Sequence, residues 1–281
     1  MGQNKSRVSR SKRIIQAKKR YGKDSFPKYL YKYQRVDLNN VNDGNLDKDS
    51  TIKRLFDCEA ILSSRLNFND LFDSKVKIIP PTPKQIIATP GMLKLISDGQ
   101  FTIEGKNFID SAIVSINDLI DSYLFYCLSK NNKSNLMWSH YADSHRGFCI
   151  EFNTEFLKAD KVNYKNKIPE IELIEFLNPK TQESFSKKIW DSLRTKLIEW
   201  KYEDEYRFQP GHNMPVNKLP KGVKTATVKY ESTWIESIIF GCRTDERVKK
   251  YITNNIPYGV KFKQATQLDS SIDIVDYEVN S

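Results

Sequence analysis

Short stretches of alternating and of helical periodicity follow one another along the chain, separated by turn-rich loops. Residues 29–35 (YLYKYQR) alternate aromatic and polar side chains, the period of two expected of a half-buried strand. Further strands are predicted over residues 59–66, 123–129, 147–153, 161–165, 225–230, 237–242 and 259–265, and residues 200–208 (WKYEDEYRF) alternate as well. Helical spacing marks residues 51–57, then 84–107 with Gly99 as a stop, 108–121, 182–199 and 244–254. A helix over 136–143 takes Ser134 or Asn135 as its cap. Strands and helices mixed in this order predict an α+β fold, with mostly antiparallel short strands and helices inserted between them.

Charge changes the picture at one end only. The net charge is +10, but residues 1–33 hold eleven of the 45 Lys and Arg against one of the 35 acids. The remainder balances, 34 to 34. The organisation expected is therefore a basic N-terminal arm over residues 1–28 and a single α+β domain over residues 29–281. An arm of this kind holds nucleic acid through phosphate contacts, docks on a protein partner, or simply solvates the chain. No aromatic lies between its basic residues before Tyr21, so it offers no base-stacking surface. No apolar run approaches the roughly 20 residues that span a bilayer, and no secretory segment follows the arm; no membrane partner and a cytoplasmic location are expected. The four cysteines are widely spaced, without CxxC or Cys/His metal spacing, and read as free thiols in a reducing compartment.

Three segments carry candidate chemistry. MWSHYADSHRG places His140, Tyr141, Asp143 and His145 near a helix end, where imidazoles move protons near neutral pH. The competing reading makes Trp138 and Tyr141 core residues. Two histidines five apart with no third ligand make no metal site, and none is expected. In WKYEDEYRF a strand would put Glu203 and Glu205 on one face with Lys201 and Arg207. Neighbouring carboxylates of this kind serve general acid/base work or stabilise an oxocarbenium ion, and equally form a salt bridge with Arg207. SSRLNFNDLFD offers Ser64, Asn69 and Asp70 as polar contacts for a ribose or amide; such side chains also build Asx-turns, the reading taken for Asn67 and Asp73. No phosphate loop, GxGxxG, GxSxG or HExxH is present, which removes support for P-loop, Rossmann and zincin chemistries.

LYKY (30–33), NFNDLFD (67–73), LMWSHYADSHRGFCIEF (136–152), YEDEYR (202–207) and IIFG (238–241) together resemble a bacterial family, domain-of-unknown-function family 2971, over about residues 29–245. Leu71 stands where that family commonly has proline. The layout is in turn distantly similar to ADP-ribosyltransferases, which implies a split sheet. It also implies NAD as substrate, with Glu205 and Glu203 stabilising charge on the ribose. In this resemblance Tyr31 or Tyr33 stacks on nicotinamide, Lys32 shares their strand, and Ser64 bonds an amide or ribose. Asn69, Asp70 and Tyr141 line the site, and His140 or Arg207 faces the pyrophosphate. The first strand lacks the family's His or Arg before Arg35. The function expected is an ADP-ribosyltransferase-like effector of bacterial defence or a toxin, modifying nucleic acid or protein. A nuclease effector and a non-enzymatic regulatory module docking through the arm stand as alternatives.

Overall fold

A computed structural model describes residues 26–178, 182–209 and 225–279. The basic arm up to residue 25 lies outside the described residues. The fold is α+β, with a mixed, mostly antiparallel sheet. Where the sequence suggests one domain over residues 29–281, the chain clusters into two compact units, each assembled from separated stretches.

The first unit gathers residues up to Phe56, Leu128–Ala159 and Glu231–Ser281. Its sheet is built from β1 (Tyr29–Gln34), β2 (Tyr126–Ser129, entered from the second unit), β3 (Phe148–Asn153), β4 (Ile235–Phe240), β5 (Lys261–Gln267) and β6 (Ile272–Asp276). In space they run β6-β5-β4-β3-β1-β2. The antiparallel pair β1/β3 sets Tyr31 opposite Glu151 and Tyr33 opposite Cys149. Only β4 and β5 run parallel among these neighbours. The helix α1 (Glu246–Asn255) supplies the crossover that a parallel pair requires. Every residue of β3 but the last is buried, as a central strand covered on both faces demands.

The second unit holds Asp57–Cys127 and Asp160–Tyr230. Its core is a helix, Ile103–Asp121, that buries Gly105, Ile109, Ala112, Ile116 and Ile120 along one stripe. Phe185, Ile189 and Leu193 from the helix Gln182–Leu193 complete that core. Thr102 caps the long helix by accepting from the Gly105 N–H at 2.9 Å. Antiparallel strands Glu59–Ser63 and Thr225–Lys229 and two short parallel pairs flank it.

Several predicted boundaries move. Residues 84–107 are not one helix. They form Pro83–Ile87, a 3-10 turn at Leu93–Leu95, and a hairpin of Ile96–Ser97 with Gln100–Phe101. Asp98 and Gly99, both at positive φ, are its two-residue turn. The alternation at 200–208 also hides a break. Ile198–Glu203 is a 3-10 helix ended by Asp204 in the left-handed region, and the strand starts at Glu205. The helix expected over 182–199 stops at Leu193, because Thr195–Leu197 pairs as a strand with Asn163–Lys165.

Candidate functional site

The residues singled out from sequence divide between the two units. Tyr31, Lys32, Tyr33, His140 and Tyr141 belong to the first; Ser64, Asn69, Asp70, Glu203, Glu205 and Arg207 belong to the second.

In the first unit the β1 tyrosines are inward-facing. The Tyr31 hydroxyl donates to Glu151 at 3.0 Å, and the Tyr33 hydroxyl to the Asn131 carbonyl at 2.6 Å. Both rings are buried, and that of Tyr33 meets Trp138 edge-on with centroids 5.0 Å apart. Neither ring has a face open to a ligand. Lys32, between them, is half-buried and points by alternation to the other face of the sheet. Glu151, deep in β3, is the charged residue that sequence reading passed over. It also accepts from Ser237 and lies 2.6 Å from the Lys263 ammonium. Its signal was there: one carboxylate at a position whose neighbours on either side are all apolar.

The helix Asn135–Tyr141, capped by Ser134, buries Trp138 completely, and the Trp138 indole N–H donates to the Asn132 carbonyl at 2.8 Å. His140 is exposed and Tyr141 half-buried beside it. After the helix, Asp143, Ser144 and His145 are all at positive φ, a turn that few non-glycine residues adopt. His145 Nε2 lies 3.1 Å from Asn135 Oδ1 and 3.3 Å from Ser139 Oγ, and its ring is parallel to that of Trp138. Burial, with the nearby Arg243 cation, lowers its pKa, so the ring is neutral at pH 7.

The second unit brings charges together. Lys196, buried, lies 2.6 Å from Glu203, 3.2 Å from Asp73 and 3.4 Å from Glu205. Arg207, fully buried, lies 2.6 Å from Asp73 and 2.8 Å from Glu205. Its guanidinium also donates to Ser74 Oγ and the Leu193 carbonyl, and lies 5.3 and 5.2 Å from the ring centroids of Phe68 and Phe125. Burial alone would raise the pKa of Glu205. The adjacent Arg207 and Lys196 cations, with hydrogen bonds from Arg207 and Cys127, outweigh it and bring the carboxyl down to about 2. The Glu205 N–H donates to the Tyr164 hydroxyl at 2.8 Å. Two of the sequence segments thus converge: NFNDLFD contributes Asp73, and YEDEYR contributes Glu203, Glu205 and Arg207. Sequence reading assigned Asp73 to a turn and did not single out Lys196, whose setting in RTKLIEW gives no sign of burial.

The remaining candidates have local roles. Ser64, fully buried, donates to the Asp121 carbonyl at 2.8 Å and accepts from the Leu66 N–H as a 3-10 cap. Asp70 Oδ1 accepts from the Phe72 N–H at 2.9 Å, an Asx-turn, while its buried Oδ2 has no hydrogen-bond partner among the described residues. Asn69 is exposed. Among the described residues no group of three or more His, Cys, Asp and Glu is arranged to hold a metal ion. None of their helices is long and apolar enough to cross a membrane. All four cysteines are free thiols.

Residues 137–208 match the family described as "Protein of unknown function (DUF2971)", a segment that runs from Met137 beside Trp138 to Phe208, the last residue of the strand Glu205–Phe208. No curated protein and no solved structure matches the chain.

Proposed function

We propose that this chain, whose residues 137–208 match the family model for DUF2971, is an ADP-ribosyltransferase-like enzyme with NAD as substrate and its reacting groups in the second unit. The observation that supports this reading is the paired state of Glu203 and Glu205, which share the Lys196 ammonium, with Glu205 held ionised down to about pH 2. Breaking the nicotinamide–ribose bond develops positive charge on the sugar, and a carboxylate that never protonates in the working range is suited to stabilise it. The acceptor's nucleophilic atom bonds to the ribose carbon as the bond to nicotinamide breaks. Nicotinamide leaves with the bonding pair, and the acceptor's proton passes to solvent. Arg207 and Lys196 keep the carboxylates charged and fixed. A nucleic-acid or protein acceptor, and a role in bacterial defence or as a toxin within the cytoplasm, belong to this proposal through the basic arm.

A second reading is favoured by a specific feature. Glu205 is only 4% exposed, and both of its oxygens already accept from Arg207 or Lys196. The same cluster therefore serves as an internal strut in a non-enzymatic module.

Incubation of the protein with labelled NAD plus RNA, DNA and cellular protein separates the two. The enzymatic reading expects nicotinamide release and label transfer by the wild type, both lost in E203Q and E205Q variants that remain folded. A folded wild type that releases no nicotinamide and transfers no label overturns it and leaves the strut.

A further inference from the structure

Trp200 and Tyr202 stand on the 3-10 helix Ile198–Glu203, three residues and one residue before Glu203, whose carboxylate lies in the ion cluster. Trp200 is half-buried, and the Lys196 ammonium sits 4.7 Å from its ring centroid. That ammonium is the one bound to Glu203, Glu205 and Asp73. Tyr202, also half-buried, lies with its ring centroid 6.0 Å from that of Trp200, the two planes 33° apart. These two rings differ from Tyr31, Tyr33 and Trp138, which are buried and engaged on the first unit's sheet.

We infer that Trp200, flanked by Tyr202, is a stacking site for a planar heteroaromatic ring of a nucleotide, placed beside the Glu203–Lys196–Glu205 cluster. The inference rests on locating the reaction in the second unit. A large aromatic left half-open carries a cost in solvated apolar surface that a stacked ring removes. The Lys196 ammonium under the indole fixes one side of it by cation–π attraction, so the ring is pre-set and loses little freedom when a ligand stacks on it. Trp200 and Glu203 stand on one 3-10 helix, which couples the position of the stacked ring to the carboxylate one turn further on. A ring held here carries its attached sugar toward the charged cluster, the position a glycosidic bond must occupy for Glu203 or Glu205 to act on it.

Nicotinamide, adenine and a nucleic-acid base share this chemistry, and the probes tell them apart. Tryptophan fluorescence of the full chain is titrated with nicotinamide, ADP-ribose, NAD and a short single-stranded RNA, in wild type, W200F and W200L. Wild type is expected to show saturable quenching that disappears in W200F, which lacks the reporting indole yet keeps a ring. Calorimetric affinity is expected to survive in W200F and to fall about tenfold or more in W200L, the scale of one aromatic–base stack. Quenching by nicotinamide and NAD assigns the nicotinamide end; by ADP-ribose and NAD, the adenine end; by RNA alone, a base of the acceptor. Unchanged affinity in a folded W200L, or quenching that persists in W200F, overturns the inference. Binding is read without turnover, so a chain that stacks these rings but releases no nicotinamide would sink the enzymatic reading and keep this one.

Discussion

Asp73 and Arg207, 134 positions apart in sequence, are joined by a 2.6 Å contact between carboxylate and guanidinium at almost complete burial. The contact ties the NFNDLFD loop to the strand Glu205–Phe208. It explains why a loop whose tip is exposed at Leu71 and Phe72 is anchored at its end by a charge. Burying ions is costly, and their attraction offsets that cost only when geometry and extra hydrogen bonds are good. Here Arg207 has two carboxylates, a hydroxyl, a carbonyl and two aromatic faces.

Removing one partner should therefore hurt more than its own contact is worth. R207M leaves Asp73 and Glu205 with one fewer cation in a dry site and is expected to cost about 3–5 kcal/mol in urea denaturation. D73N, which keeps an acceptor oxygen, should cost about 1–3 kcal/mol. The double variant should be less destabilised than the sum by about 1 kcal/mol or more. Single variants that each fall within about 0.5 kcal/mol of wild type would show that the pair contributes nothing.

How much of this was legible beforehand depends on the range of the contact. Strand β1, the Ser134 cap and the crossover helix Glu246–Asn255 follow from local periodicity and capping chemistry, and the structure has all three. The Asp98–Gly99 hairpin was misread because an apolar helical spacing was followed through a dipeptide that favours a tight turn. The pairing of Glu203 with Glu205 was expected from strand alternation. They do share one ammonium, but by a different route: a 3-10 helix ends on Glu203, and left-handed Asp204 (φ 41°) turns the chain into the strand. Lys196, Asp73 and Glu151 were not legible as partners, since nothing local in their segments specifies which distant residue they will meet.

Acid should expose the cluster. The folded-state pKa of Glu205 is depressed to about 2 from an ordinary value of 4.5. A depressed carboxyl contributes stability that is fully present above the unfolded-state value and is lost as pH falls through the folded one. The contribution should thus be constant from neutral pH to about 4.5 and disappear between about 4.5 and 2. Urea midpoints measured across that window should fall more steeply for wild type than for E205Q, which cannot titrate at this position and starts less stable at pH 7. Parallel curves for the two proteins would refute the assignment.

Gly147 tests the first unit independently of any charge. Its N–H donates to the Ala142 carbonyl at 2.8 Å, and its carbonyl accepts from the Gly241 N–H at 3.0 Å and the Thr244 hydroxyl at 2.6 Å. This closes the left-handed turn Asp143–His145 against the start of β3. A Cβ on Gly147 would stand 2.0 Å from the Gln34 carbonyl oxygen, which belongs to the backbone of β1 and cannot swing away. Gly241 is equally confined, its Cβ position 2.2 Å from the His145 carbonyl oxygen. G147A must therefore push β1 from β3 or distort the turn, and is expected to lower stability by at least about 2 kcal/mol, in the range of severe overpacking. G259A, with nothing within 4 Å of its Cβ position, serves as the control and should stay within about 0.5 kcal/mol. Thermal unfolding followed by circular dichroism reads both. Equal melting temperatures for the two variants would mean that β1 does not press on Gly147 as described, and the close packing of the WSHYADSHRG turn against the sheet would have to be given up.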